Sequence, residues 1–288
     1  MEPETIDLQK ILMEKFLVVL DSVDMNESTV NFACYLARLT DCALTAVFLD
    51  NPDTYEEIIF KQAGRGTFVE SIAISPEEDE NRIMKRHENM TLFKARVETE
   101  DTEAFVHLDR GVPLEEVISE SRFADGLIIN AGLTFSGASE KEPTPFVKNI
   151  LHDAECPVII CHENPEYTDT IIFCYDGQKS SVFAMKQFTH LFPQLGTKRL
   201  KILHLNNDDS LNGRQEVRIV EWLRHHYKNG VEWIAAEGNS QKVLFDYLLH
   251  KQNSFVVMGT YGRGLLSSFF DENGRANKLC PPIFVSHL

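Results

Sequence analysis

Val256-Val257-Met258-Gly259-Thr260-Tyr261-Gly262-Arg263-Gly264 joins a continuous apolar run to a glycine-rich turn. A short apolar run suits a strand buried on both faces, and glycines after it let backbone N–H groups approach a phosphate. The stretch is a candidate nucleotide cradle at the end of a buried strand.

The chain carries a second, weaker copy of this plan. Phe16-Leu17-Val18-Val19-Leu20-Asp21-Ser22 and Ile171-Ile172-Phe173-Cys174-Tyr175-Asp176-Gly177 are apolar runs, each closed by an aspartate. A helical pattern follows each: Val30, Ala33, Cys34 and Ala37 in the first half, Phe183, Ala184, Phe188 and Leu191 in the second. Both sets are spaced for one apolar face. Cys156-Pro157-Val158-Ile159-Ile160-Cys161-His162 likewise answers Cys280-Pro281-Pro282-Ile283-Phe284-Val285-Ser286. Asp21 to Cys156 is roughly 30 residues longer than Asp176 to Cys280, so a duplication requires an insertion in the first copy, at about 51–100.

A length of 288 residues suits two domains, expected at 1–163 and 164–288. With a net charge of -16, the average surface repels nucleic acid and anionic lipid. Leu17 to Leu20 is too short for a signal or a membrane span, and the residues before it are acidic, so a cytoplasmic location is expected. The six cysteines lack CxxC spacing and sit mainly inside apolar patterns, as reduced core thiols do.

Periodicity predicts strands at 16–21, 43–49, 103–108, 126–131 and 157–162, and helices at 27–39, 77–97, 114–122 and 145–153. The second half reads as strands at 170–175, 199–205, 231–236, 254–259 and 282–287, with helices at 180–192, 212–227, 240–251 and 272–279. The acidic stretch before the 77–97 helix reads as irregular, either a solvated lobe or a lid. Strand and helix alternating at this pitch give α/β architecture: two tandem, doubly wound parallel-sheet domains. The short polar linker at 163–169 favours a pseudo-twofold pair of halves within the chain. Whether tandem chains associate further as a homodimer stays open.

In open α/β sheets, ligands settle beyond the carboxyl ends of strands, where the strand order reverses. That edge of the second half collects Asp176 and Gly177, Leu205 with Asn206, and the run from Gly259 through Gly262 and Arg263 to Gly264. An acid accepts hydrogen bonds from a ribose hydroxyl or an adenine amine, while glycine-turn N–H groups face phosphate oxygens. Together these elements suit an adenine nucleotide; singly, an Asp or a Gly there serves a turn. His204 ends a strand beside this edge, where its imidazole either contacts a ligand or sits satisfied in the interior; the second is the plainer expectation. Trp222 and Trp233 read as core or interface, and His225-His226 as a surface pair. No GxxxxGK[ST], GxSxG or HExxH pattern marks a catalytic or metal site.

The aspartate-closed first strands, Gly-Val-Pro-Leu-Glu-Glu-Val-Ile at 111–118, the Val-Val-Met-Gly-x-x-Gly-Arg run and the Cys-Pro-Val type final strands resemble the universal stress protein family, in tandem over nearly the whole chain. The resemblance implies five parallel strands per domain, an adenine nucleotide alpha hydrolase-like sheet, and final strands 157–162 and 282–287 paired across a pseudo-dimer. Family members that bind ATP carry Gly-x2-Gly-x9-Gly-Ser/Thr. Gly259 and Gly262 match its first glycines, whereas Glu272 and Asn273 replace the last pair. Ala131 and Thr134 take the glycine positions of the first half, where the resemblance implies a degenerate site. The expected function is a cytosolic stress-response role with weak binding of ATP, with magnesium, in the second domain. A nucleotide-free dimerisation or adaptor module is the alternative. An adenine-nucleotide hydrolase is the third reading, which the absence of an SGGxDS loop at Asp21-Ser22-Val23-Asp24 disfavours.

Overall fold

Phe16 to Leu20 are all buried, as are Ile171 to Tyr175, so both aspartate-closed runs are interior strands covered on two faces. The computed structural model describes residues 15–50, 56–63, 66–73, 76–100, 102–109, 111–136, 140–161, 168–204, 213–235, 247–248, 251, 253–259 and 281–286. The first half runs β1 (Lys15–Asp21), α1 (Glu27–Thr40), β2 (Ala43–Leu49), β3 (Glu56–Ala63), β4 (Gly66–Ala73), α2 (Pro76–Thr99), β5 (Ala104–Asp109), α3 (Pro113–Ser121), β6 (Gly126–Asn130), α4 (Pro145–Asp153) and β7 (Val158–Cys161). The second runs β8 (Thr170–Tyr175), α5 (Lys179–Leu191), a 3-10 turn at Pro193–Thr197, β9 (Arg199–His204), α6 (Gly213–Arg224), β10 (Val231–Ala235), β11 (Ser254–Met258) and β12 (Ile283–Val285).

Ten strands form one sheet in the order β10-β9-β8-β11-β12-β7-β6-β1-β2-β5. Each half thus contributes five strands in the same third-second-first-fourth-fifth order. Neighbours within a half are parallel. The halves meet where β12 and β7 pair antiparallel, with Ile283 opposite Ile160 and Val285 opposite Val158. The expected pairing of the final strands is therefore present, and the two halves share one sheet.

Helices cover both faces. On one, α1 buries Val30, Ala33, Cys34 and Ala37, the four positions that its sequence spacing singles out, and α5 buries Ala184, Met185 and Phe188. Phe93 and Val97 of α2 and Leu223 of α6 join the same core. On the other face, Val117 of α3 and Val147, Ile150 and Leu151 of α4 pack against Leu17, Val19, Ile172 and Val256. Local chemistry sets the helix starts. Asn26 caps α1 by accepting from the Thr29 N–H at 2.9 Å, and Thr144 caps α4 by accepting from the Val147 N–H at 3.2 Å.

One expectation needs correction. The stretch before α2 is not irregular: β3 and β4 form a separate two-stranded antiparallel hairpin, with Glu56 opposite Ala73 and Ala63 opposite Gly66. Its apolar residues stand in short consecutive runs, Ile58-Ile59-Phe60 and Phe68-Val69, so the period of two that marks a half-buried strand is missing from the sequence. Helix α2 lies between the second and third strands of its half, as α6 does in the other. The predicted helices at 240–251 and 272–279 lie largely outside the described residues, with 247–248 helical.

The core runs across the join between halves. Phe188 packs against Phe192, Phe255 and Phe284 at ring separations of 4.9, 5.0 and 5.3 Å, and Phe192 meets Phe16 of the first half at 5.8 Å. Phe32 of α1 crosses in the other direction to Phe255, at 6.1 Å. Replacing Phe188 with Ala should cost about 3–5 kcal/mol, because the ring leaves a cavity that its buried neighbours cannot fill. In urea unfolding followed by circular dichroism, we expect a single transition with a lowered midpoint; two transitions, one of them unmoved, would contradict a core shared by both halves.

Cys34, Cys42, Cys156, Cys161 and Cys174 are buried free thiols. Burial pushes the Cys34 thiol up to about 11 and those of Cys156, Cys161 and Cys174 up to about 12. The thiolate is the reactive form, so these cysteines should stay unmodified when the native protein meets a maleimide at pH 8, and should label once it is unfolded; peptide mapping reads both states.

Candidate functional site

The parallel register of β8 and β11 pairs Val256 with Ile172 and Val257 with Phe173. Continued by two residues, it sets Gly259 beside Tyr175 and one step short of Asp176. These strands flank the point where the order of the second half reverses, so the expected site lies at a switch point of the sheet. Asp176, Gly177 and Gly259 are brought to this edge. Leu205, Gly262, Arg263, Gly264 and Asn273 lie outside the described residues.

Each described member of that group has a local job. Asp176 Oδ1 accepts from the Gln178 N–H at 3.0 Å, a side-chain turn that leads the chain into α5. Gly177 has φ 81°, a left-handed conformation that disfavours a side chain. A Cβ on Gly259 would come within 2.5 Å of the Ser180 carbonyl carbon, so only glycine lets β11 end this close to the first turn of α5. Gln178, the residue capping α5, makes no side-chain cap hydrogen bond, unlike Asn26 at α1. The backbone N–H groups at the start of α5 are thus less fully claimed by side chains than those of its counterpart.

The first half presents a crevice at its own switch point, between the ends of β1 and β6. About 140 Å³ in volume, it is lined by Asp21, Asp24, Asn26, Thr29, Asn130, Gly132 and Thr134, among others. Asp21 Oδ1 accepts from the N–H groups of Val23 at 2.7 Å and Asp24 at 2.9 Å. Burial nevertheless holds its carboxyl above the usual carboxylate range, and Asp24 adds to that rise. Asn130 Oδ1 takes up the Gly132 N–H at 2.8 Å, and Thr134 Oγ1 donates to Glu140 Oε2 at 2.6 Å. Acidic side chains and claimed donors make this crevice unfavourable for phosphate, and its volume is below the roughly 300 Å³ at which ligand pockets usually begin.

Helix α2 fastens the chain beside that crevice. Asn89 Nδ2 donates to the carbonyls of Ser22 and Val23, both at 3.0 Å. Arg86 forms a buried ion pair with Asp50 just beyond β2, and Arg82 reaches the same carboxylate at 3.7 Å. Sequence reasoning left these α2 side chains unassigned. Their signal is a pair of arginines four apart on one helix, and their partner is the acid just after β2, on the far side of the hairpin in sequence, so it becomes visible only once the helix is placed.

His204 departs from the expectation of a satisfied imidazole. It is 9% exposed, and its Nε2 is buried with no hydrogen-bond partner among the described residues. Its ring packs on Tyr175 at 5.5 Å and on Trp233 at 5.7 Å. Trp233 is thus partly buried against the core, and Trp222 stacks on His226 at 4.4 Å. No group of three or more His, Cys, Asp or Glu side chains suited to a metal occurs among the described residues. Nor is any described helix long and apolar enough to cross a membrane.

No protein-family model and no curated protein matches the sequence. Solved structures do match over the full length. A universal stress protein from Archaeoglobus fulgidus superposes with a TM-score of 0.66 at 15% identity, over 95% of this chain and 98% of that one. A protein from Pseudomonas aeruginosa UCBPP-PA14, provisionally described as a universal stress protein, gives 0.55 at 13% identity, over 97% and 95%. A functionally unknown protein from Pseudomonas aeruginosa PAO1 gives 0.55 at 13%, over 97% and 94%. With its two five-strand halves joined through β7 and β12, the chain has the universal stress protein fold in tandem form.

Proposed function

We propose that the chain is a tandem universal stress protein acting in the cytosol, whose second half binds an adenine nucleotide weakly while its first half is structural. The observation that carries this reading is the meeting of Asp176, Gly177 and Gly259 at the switch point between β8 and β11, beside a helix start without a side-chain cap. An acid there can receive a ribose hydroxyl or base amine, and open N–H groups favour phosphate oxygens. The small acidic crevice of the first half supports a division of labour between the halves. The replacement of the final Gly-Ser/Thr pair by Glu272-Asn273 supports weak affinity. Losing one hydrogen bond to a charged group removes roughly 1.5–3 kcal/mol, about tenfold to a hundredfold in affinity.

A second reading has its own support. The turn bond of Asp176, the positive φ of Gly177 and the tight packing of Gly259 on Ser180 each account for those residues without a ligand. A nucleotide-free dimerisation or adaptor module would retain all three.

Thermal unfolding in millimolar ATP and magnesium separates the readings. A ligand at about 100 times its dissociation constant adds roughly 2.7 kcal/mol of stability. We expect a rise in melting temperature that Asp176→Ala and Gly262→Glu abolish, and that Asp176→Asn, which keeps the turn acceptor, reduces. No rise in the wild type favours the adaptor, and a rise that survives both Ala and Glu variants removes the nucleotide from this edge.

A further inference from the structure

The two ends of the shared sheet are protected differently. Among the described residues β5 ends it on one side and β10 on the other, each the third strand of its half. The register matches them position for position: Phe16, Leu44 and Ala104 lie in one row, and Ile171, Leu200 and Val231 in its counterpart. One position further on, β10 carries Glu232, ion-paired with Lys201 of β9 at 2.8 Å, whereas β5 carries Phe105, which is 51% exposed. A charge along an edge strand discourages another strand from joining it, and a half-exposed ring does the opposite. The ladder shows which groups β5 offers. The Leu44 N–H donates to the Glu103 carbonyl at 2.9 Å, so the main chain of Glu103, Phe105 and His107 turns towards β2, and by alternation that of Ala104, Val106 and Leu108 turns outward. Beside these outward groups, a groove of about 570 Å³ runs between β5 and α2, within the usual range of binding sites. Phe93 and Val97 of α2 line it with Ala104 and Val106 of β5, and at its polar positions Glu98 and Glu103 outnumber Lys94.

We propose that the free edge of β5 docks an extended, basic segment of a partner protein, which adds a further strand to the sheet. Its main chain pairs with Ala104, Val106 and Leu108. Alternate side chains of an added strand fall on opposite faces, so one set enters the groove and the other meets Phe105. Lysine or arginine suits the first set, laying its stem on Val97 and Val106 and carrying its charge to Glu98 and Glu103; an apolar residue suits the second. A second copy of this chain is the poorer occupant, because each copy carries a net charge of -16 and a twofold pairing of β5 with β5 sets like rims against each other. The β5 edge belongs to the first half, and docking there is independent of a nucleotide in the second.

The test titrates the full chain into a fluorescein-labelled peptide of alternating lysine and valine, Lys-Val-Lys-Val-Lys-Val-Lys, with the glutamate-valine counterpart as control and anisotropy as the readout. We expect the basic peptide to bind, more weakly as salt rises, and the acidic one not to bind. Phe105→Glu, which copies the charge of β10 onto β5, should weaken the basic peptide about tenfold or more and leave the circular dichroism spectrum unchanged. Glu98→Lys should weaken it as well. In amide exchange followed by NMR, bound peptide should slow the outward Val106 and Leu108 amides and leave those of Phe105 and His107 as they were. No binding of the basic peptide, equal binding of the acidic one, unchanged affinity in Phe105→Glu, or unslowed Val106 and Leu108 amides each overturns the proposal. So does a mass that doubles with protein concentration in sedimentation and returns to the monomer in Phe105→Glu, which assigns the edge to a second copy instead.

Discussion

Everything in the molecule depends on three residues of β12 lying antiparallel to β7. Ile283, Phe284 and Val285 pair with Ile160, Ile159 and Val158, and without this pairing each half would expose a fully apolar strand edge. The pairing brings the two cores into register, so that Phe284 reaches Phe188 and Phe192, and Phe192 reaches Phe16. Burying a side chain of this size contributes about 1.5–3 kcal/mol, so a cluster drawn from both halves outweighs what the few ladder hydrogen bonds supply alone. The join is held mostly by rings, and the strands set their alignment.

The fold was legible because its signals are local and repeated. Apolar runs closed by Asp21 and Asp176 mark the first strand of each half, and Val30, Ala33, Cys34 and Ala37 mark the buried face of α1. The hairpin of β3 and β4 is not legible in the same way, because its apolar residues are clustered at Ile58-Ile59-Phe60 and Phe68-Val69 and show no period of two. The arginines of α2 were missed for a different reason. Their partner, Asp50, is remote in sequence, and only the packing of α2 on the strand ends brings the charges together.

The site was legible to a smaller extent. Position along the chain placed Asp176, Gly177 and Gly259 at one edge, and the sheet agrees. What residue types could not show is that each already serves the backbone: a turn, a left-handed φ, a close helix approach. His204 gave the opposite lesson. A histidine at a strand end suggested a satisfied interior group, yet whether a ring nitrogen finds a partner depends on neighbours from β8, β10 and α6 that no spacing rule encodes.

Fusing the halves also changes how their ends can be used. The edge strands of the shared sheet are β5 and β10, the third strand of each half, whereas the fifth strands are enclosed at its centre. A self-associating single-half protein of this design would present identical surfaces and identical crevices on both sides of its axis. Here the partner is permanently tethered, so assembly no longer depends on protein concentration, and one side can change without the same change appearing opposite. The capped start of α1 and the uncapped start of α5 are such a divergence: a symmetric architecture has become a molecule with two unlike ends.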